Sequence, residues 1–205
     1  EFIVTKVRNG TRKKSPYPPF ITSTLQQEAS RKLGYQSRRT MKIAQELYEG
    51  VDVEGYGTTG LITYMRTDSL RISNDAIAEV TKYINDNFGP EYLPPKPRVF
   101  KSRSNAQDGH EAIRPSIPSL SPDKVKDSLT IEQYKLYKLI WDRFTACQMA
   151  DCIHKTTQAE INANDYIFKA SGYRVDFDGY TTLYVDSNAA EGTKEKQLPP
   201  LEKNM

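Results

Sequence analysis

The spacing of apolar residues predicts helices in the middle of the chain and strands at its two ends. From about residue 20 to about residue 150, apolar residues recur every three to four positions, as on one face of a helix. Beyond Asp151 the period changes to two, and Ala163-Asn164-Asp165 is placed to form the turn of a hairpin. Residues 1–7 are also strand-like. We therefore expect an α+β, multidomain fold, with a mainly helical domain inserted into an antiparallel β-rich domain.

Cap residues mark where several of these helices begin. Thr24 and Gln27 have the capping-box spacing, as do Thr130 and Gln133 ahead of the longest helical stripe. Ser73 is a further candidate for an N-cap.

The region around the second helix has the order of elements found in winged-helix units. Two short helices precede the glycine-rich segment 54–60, which leads into a strand. Ser37 is expected to cap the second helix, and Arg38, Arg39 and Lys42 follow close to its start, where the helix dipole favours anions. Both a DNA-facing helix and a solvated cationic face are compatible with this pattern.

Composition divides the chain further. Residues 1–19 combine the first strand with a basic, proline-containing segment that we expect to be exposed from Arg8 onward, either as a phosphate-contacting arm or as a solvated linker. Residues 20–150 form the helical domain, residues 151–187 the second β segment, and residues 188–205 a polar, flexible connector. The chain does not begin with Met, which suggests a piece of a longer protein.

The overall chemistry is that of a soluble protein. Charged residues make up 27% of the 205 residues, and the formal net charge is +3. No apolar run approaches the roughly 20 residues that span a bilayer, so we expect no membrane association. A mildly basic chain is compatible with nucleic acid as a partner, but this charge alone is weak evidence.

Metal binding is not expected within the chain. Cys147 and Cys152 have only His154 nearby, whereas a structural zinc site needs four ligands, so we expect reduced thiols. Asp176 and Asp178 precede Gly179, and turn capping is the better interpretation of this pair than a metal site.

The stretch Gly60-Leu-Ile-Thr-Tyr-Met-Arg-Thr-Asp-Ser69 carries the candidate chemistry. Leu61 and Ile62 begin what we expect to be a buried strand, and on an extended backbone Tyr64 and Arg66 point to the same side. A phenol beside a guanidinium is suited to attack on a phosphodiester, because arginine offers a rigid fork of donors to phosphate oxygens. The following Thr67, Asp68 and Ser69 can close a turn through side-chain to backbone hydrogen bonds.

A second cluster lies in Asp108-Gly-His-Glu-Ala-Ile-Arg-Pro-Ser116. If the segment is helical, His110 and Arg114 share one face and could bind a phosphate. The structural alternative is a Glu111–Arg114 pair that holds a loop.

Both strings resemble signatures of the bacterial type IA DNA topoisomerases. The first is similar to the active-site motif of that family. The second resembles a signature that usually has Ala where this chain has Gly109 and Thr where it has Ser116. The segment Pro18 to Ala29 also resembles the family, except that Ile21 stands where Thr is usual. The resemblance covers nearly the whole chain and favours the bacterial DNA-relaxing branch.

This resemblance implies a function and a mechanism. Tyr64 would attack single-stranded DNA and form a 5′-phosphotyrosine, Arg66 would be its catalytic partner, and no ATP would be needed. DNA contacts are expected at His110, Arg114, Thr67, Ser69, Arg38 and Arg39. Mg²⁺ would be bound by a toprim domain absent from this chain, so the chain alone is expected to be inactive. Its partners would be negatively supercoiled DNA and the other domains of the same protein, in the bacterial cytoplasm at the nucleoid.

Two other functions remain open from the residues alone. The chain could be a non-catalytic module that binds single-stranded nucleic acid, with Tyr64 stacked on a base and Arg66 on phosphate. It could also be a purely structural helical domain. A covalent adduct with DNA separates the first function from these alternatives.

Overall fold

The fold combines helices with an antiparallel sheet, as expected from the change of period. A computed structural model describes residues 2–101, 109–187 and 197–205. In chain order the main elements are β1 (Ile3–Lys14), α1 (Thr22–Leu33), α2 (Ser37–Glu49), β2 (Val51–Val53), β3 (Gly57–Thr59), α3 (Asn74–Asn87), α4 (Pro122–Val125), α5 (Ile131–Cys147), β4 (Cys152–Ala163) and β5 (Tyr166–Phe177). Short 3₁₀ turns lie at Pro90–Tyr92, Lys126–Ser128 and Gly179–Thr182.

Strands β1, β4 and β5 form one three-stranded sheet in the order β1-β4-β5. β1 and β4 run antiparallel from the Ile3–Asn162 pair to the Lys14–Cys152 pair. The predicted hairpin is confirmed, since β4 and β5 are joined at Asn164, whose φ of 52° suits a tight turn. The expected pairing of the first residues with the later strands is therefore present.

Two predictions about the sheet were wrong. Residues 8–14 are largely exposed, as expected, but they are not a connector, because they continue β1 along β4 as far as Lys14, before the first of the prolines. The β segment predicted at residues 151–187 does not continue as strand beyond Phe177, because the backbone turns at Gly179–Thr182. Of the predicted tail connector, residues 188–196 lie outside the described residues. Asn204 and Met205 bond to the backbone of Val4.

The helical part has one core, which α5 crosses. The capping box of Thr130 and Gln133 begins α5, and the Ser73 hydroxyl accepts a hydrogen bond from the Ala76 N–H at the start of α3, as predicted. The box predicted at Thr24 is displaced, because α1 begins two residues earlier and Thr24 Oγ1 instead accepts from the Ile21 N–H. After α2, strands β2 and β3 form a small hairpin that includes part of the glycine-rich segment, whereas the regular strand expected after this segment is absent.

A buried polar network joins the helices to the segment that follows the sheet. Arg143 on α5 donates to Asp186 at 2.8 Å, and its guanidinium lies over the Phe20 ring. Glu28 on α1 is 2% exposed and accepts a hydrogen bond from the Tyr184 hydroxyl at 2.7 Å. These contacts fix residues 184–187 against α1 and α5.

Candidate active site

Three irregular segments meet at the candidate site: residues 20–22, 61–69 and 110–116. Isolated antiparallel bridges join Phe20 to Ile113 and Ile62 to Pro115. Backbone hydrogen bonds add to them, including Ser116 N–H to Leu61 O at 2.9 Å and Ile113 N–H to Phe20 O at 2.8 Å. The two strings singled out in the sequence are thus neighbours in the fold.

The segment that contains Tyr64 is not the regular strand that we predicted. Leu61, Ile62 and Met65 are buried, which does not follow a period of two, and the segment makes a single bridge. The segment departs from a regular strand because it is held on both sides. On one flank Thr22 Oγ1 donates to Met65 O at 2.7 Å, and on the other lies the bridge to Pro115. The three apolar side chains anchor the segment while Tyr64 stays at the surface.

Tyr64 lies between two other rings. Its side chain is 41% exposed, and its ring centroid is 5.3 Å from that of Tyr48 and 6.3 Å from that of His110. Tyr64 and His110 therefore lie together at one partly exposed surface. Tyr48 follows the buried Met41, Ala44 and Leu47 at helical spacing on α2, yet it is also 41% exposed.

Arg66 is exposed and lines a shallow cavity of about 580 Å³ beside α2. The cavity also includes Arg38, Lys42 and Gln45 of α2. Gln45 is one helical turn before Tyr48, so Arg66 and Tyr64 lie along the same side of one helix. Arg39, by contrast, forms an ion pair with Glu132, so it does not join this cavity.

The segment from His110 to Arg114 is not helical. The N–H groups of Ala112 and Ile113 bond to Arg71 and Phe20, so they are not available for helical hydrogen bonds. His110 and Arg114 consequently do not share a helix face.

Arg114 turns inward from this segment. Its side chain is only 10% exposed and donates to Glu111 at 2.6 Å and to the Pro115 carbonyl at 2.8 Å. Glu111 also accepts from the Ser73 N–H at 2.6 Å, at the start of α3. These contacts favour the loop-holding alternative for Arg114 over direct phosphate binding.

The hydroxyls of Thr67 and Ser69 are directed into the turn and not toward a ligand. Thr67 Oγ1 accepts from the Ser69 N–H at 3.1 Å, and Ser69 Oγ accepts from the Arg71 N–H at 3.2 Å. Both residues are buried. The predicted turn closure is confirmed, and it places these two hydroxyls away from the surface on which we expected DNA.

The described residues do not fit a metal centre. Among them, no group of three or more His, Cys, Asp or Glu side chains is arranged to hold an ion. Burial raises the pKa of the Cys147 thiol to about 12, which disfavours a metal-binding thiolate. Asp178 accepts a hydrogen bond from the Tyr92 hydroxyl. Within the described part of the chain, every helix is too short or too polar to cross a bilayer.

An exposed tyrosine between aromatic rings, next to an arginine-lined cavity, defines a candidate site for chemistry on a phosphodiester. Comparison with known proteins identifies the class. A family model described as DNA topoisomerase matches residues 1–205. The chain belongs to the type IA DNA topoisomerase family.

Individual relatives agree with this assignment. The chain is 50% identical over 204 residues to DNA topoisomerase 1 of Rickettsia felis, and 49% identical over 205 residues to that of Rickettsia prowazekii. Each match covers 98% of this chain and 26% of the relative, so the chain spans about a quarter of their length. The structure of full-length topoisomerase I from Thermotoga maritima matches all of this chain and 32% of that chain, with a TM-score of 0.83 and 36% identity.

Proposed function

We propose that this chain is the tyrosine-bearing part of a longer enzyme that relaxes negatively supercoiled DNA without ATP. The observation that carries the proposal is the placement of Tyr64. It is exposed between Tyr48 and His110, near the end of α2, and Arg38 and Lys42 of the same helix line a cavity together with Arg66.

The proposed reaction is a transesterification. The Tyr64 oxygen forms a bond to a DNA phosphorus as the bond from that phosphorus to the 3′ oxygen breaks. The phenol proton is lost and the leaving 3′ oxygen gains one, so that a 5′-phosphotyrosine and a free 3′ hydroxyl result. After a second strand has passed, the 3′ hydroxyl attacks the ester and restores the original bond. The energy of the phosphodiester is retained throughout, which is why ATP is not required.

Arg66 and His110 have separate proposed roles. Arg66 places positive charge where negative charge develops on the phosphoryl oxygens. His110, whose ring is 6.3 Å from that of Tyr64, positions the strand at the same surface.

The rest of the longer protein would supply what this chain does not. We propose that residues 20–150 form the strand-passing domain and that residues 1–19 and 151–187 contribute to a β-rich arch. The described residues do not fit Mg²⁺, so any Mg²⁺ would be bound by another domain of the toprim type. The isolated chain is therefore expected not to relax DNA. The longer protein would act in the bacterial cytoplasm on chromosomal DNA.

A non-catalytic module for single-stranded nucleic acid is the second candidate. It is favoured by the two exposed rings of Tyr48 and Tyr64, because aromatic side chains beside cations are a common surface for base stacking.

Trapping of a covalent adduct tests the proposal. The full-length protein containing this chain is mixed with labelled single-stranded DNA, stopped with denaturant and resolved by gel electrophoresis. We expect an adduct that Tyr64→Phe abolishes while DNA binding stays nearly unchanged, because only the hydroxyl is removed. Binding by the unaltered protein without any adduct would favour the non-catalytic module. An adduct that persists in the Phe variant would refute Tyr64 as the nucleophile.

A further inference from the structure

The cavity beside Arg66 has the composition of a phosphate-binding cleft. Arg38 and Lys42 lie one helical turn apart on α2, so their Cβ atoms are about 5–6 Å apart. Arg66 closes the same cavity from the motif segment. The remaining lining residues are Gln26, Ser37, Met41, Gln45 and Glu46.

The three cations of this cleft are available to a ligand. Arg38, Lys42 and Arg66 are exposed, and none of the ion pairs found among the described residues involves them. The single acid of the lining, Glu46, accepts a hydrogen bond from the side chain of Gln133 at 2.9 Å. The cleft therefore carries an excess of positive charge.

Neighbouring cations do not share this property. Arg39 adjoins Arg38 in the sequence, but it points about 100° around the helix, pairs with Glu132 and lies over the Tyr35 ring. Lys82 on α3 pairs with Asp86. Arg38 and Lys42 thus differ from Arg39 and Lys82 in lining the cavity with Arg66 and in forming no ion pair among the described residues.

We propose that this cleft holds the DNA phosphates on the 3′ side of the scissile phosphate. The inference rests on the proposed function and adds a substrate subsite to it. In the 5′-phosphotyrosine, Tyr64 is bonded to the scissile phosphate, and the nucleotides on its 3′ side remain attached to this chain. The end with the free 3′ hydroxyl has no covalent bond to this chain. A cationic cleft on α2, the helix whose Tyr48 contacts Tyr64, is therefore placed to bind the strand that stays.

This assignment gives the cleft a role in strand passage. It would hold the attached strand in line with the ester while the free end moves away, so that the 3′ hydroxyl meets the same phosphate geometry when it returns. Arginine and lysine would contact phosphate oxygens, whereas Gln26 provides a neutral donor. Contacts of this kind are independent of base sequence.

The test uses the full-length protein and single-stranded oligonucleotides that carry one uncharged methylphosphonate. The neutral linkage is placed either at the first or second phosphate on the 3′ side of the cleavage site, or at the matching positions on the 5′ side. Adduct yield is measured as a function of salt for the unaltered protein, Arg38→Gln and Lys42→Gln. Arg39→Gln and Lys82→Gln are the matched controls.

We expect each cleft variant to lose adduct about twofold to fivefold on the fully charged oligonucleotide, as for a screened surface charge pair. The slope of the logarithm of adduct yield against the logarithm of salt concentration should become shallower by about one unit. On an oligonucleotide that is neutral on the 3′ side, the same variants should show no further loss, while the controls should behave like the unaltered protein throughout.

Two results would overturn the proposal. In the first, the cleft variants lose as much adduct on the oligonucleotides that are neutral on the 3′ side as on the fully charged one. In the second, their loss of adduct disappears on the oligonucleotides that are neutral on the 5′ side. Failure of the proposed function differs from both, because the unaltered protein would then form no Tyr64-dependent adduct with any oligonucleotide. That result would remove both proposals together.

Discussion

Gly60 is the position where one added carbon should damage both the fold and the site. It begins the motif segment where that segment passes the end of α2, and Leu61 N–H donates to Leu47 O at 2.8 Å. A Cβ at Gly60 would lie 2.7 Å from the carbonyl oxygen of Tyr48. The φ of Gly60 is outside the left-handed region, so alanine would suit the backbone conformation and the close approach alone excludes it.

The size of the effect follows from this contact. A separation of 2.7 Å requires the segment or the end of α2 to move by several tenths of an ångström, since the obstacle is backbone. Overpacking of this kind typically lowers the free energy of unfolding by about 1–3 kcal/mol. Restriction of the unfolded chain by alanine returns only about 0.4–1 kcal/mol. The shift also displaces Tyr64 relative to Tyr48, and a misplacement of about 1 Å can slow a positioned reaction by about 10²-fold.

Gly109→Ala is the matched control for Gly60→Ala. A Cβ at Gly109 meets nothing within 4 Å, and its φ is also outside the left-handed region. Urea unfolding of the 205-residue chain should show a lower free energy of unfolding for Gly60→Ala and no decrease for Gly109→Ala. Adduct formation by the full-length protein should slow about tenfold or more in Gly60→Ala alone. Equal behaviour of the two variants in both assays would refute the reasoning.

Two further predictions concern Tyr48 and Glu28. Tyr48→Ala should slow adduct formation about tenfold with little loss of single-strand binding. Tyr48→Phe should keep the normal rate, because its ring still contacts Tyr64. A loss of binding in Tyr48→Ala that matches the loss of rate would instead indicate base stacking. Burial opposes ionisation of Glu28, but hydrogen bonds from Ser187 and Tyr184 prevail and hold its pKa below the usual 4.5. Its stabilising effect is therefore present above pH 4.5 and is lost as the pH falls through the lower, folded-state pKa. In urea unfolding from pH 7 to pH 3, the free energy of unfolding of Glu28→Gln should fall less steeply with decreasing pH than that of the unaltered chain. An equally steep fall in both would contradict this.

Features that depend on a few adjacent residues could be predicted from the sequence. The caps at Ser73 and Thr130 need only a side chain three residues from a backbone N–H, and both were found. The turn at Asn164 and the turn closure by Thr67 are equally local. The string that contains Tyr64 and Arg66 is equally short and was singled out by its resemblance to a family motif, while the catalytic roles of both residues stay predictions.

Features that depend on a distant partner could not be predicted in this way. β1 extends to Lys14 because β4, more than 130 residues later, offers partners along its whole length, and the basic composition of residues 8–14 conceals this. The segment around Arg114 is extended because it bonds to residues 20 and 61–63, although its spacing also suits a helix. The contact of Tyr48 with the Tyr64 ring joins residues on two separate segments, which apolar periodicity does not report.

Identification of the amino acid that carries the DNA tests the central claim most directly. Trypsin cleaves after Lys42 and Arg66, and residues 43–66 contain neither Lys nor Arg between these ends, so the site falls within a single peptide. That peptide contains three tyrosines, Tyr48, Tyr56 and Tyr64. The covalent adduct of the full-length protein is digested with trypsin and nuclease, and the peptide is sequenced by tandem mass spectrometry. We predict a nucleotide joined through its 5′ phosphate to Tyr64, and attachment at Tyr48, Tyr56 or any residue outside this peptide would contradict the account.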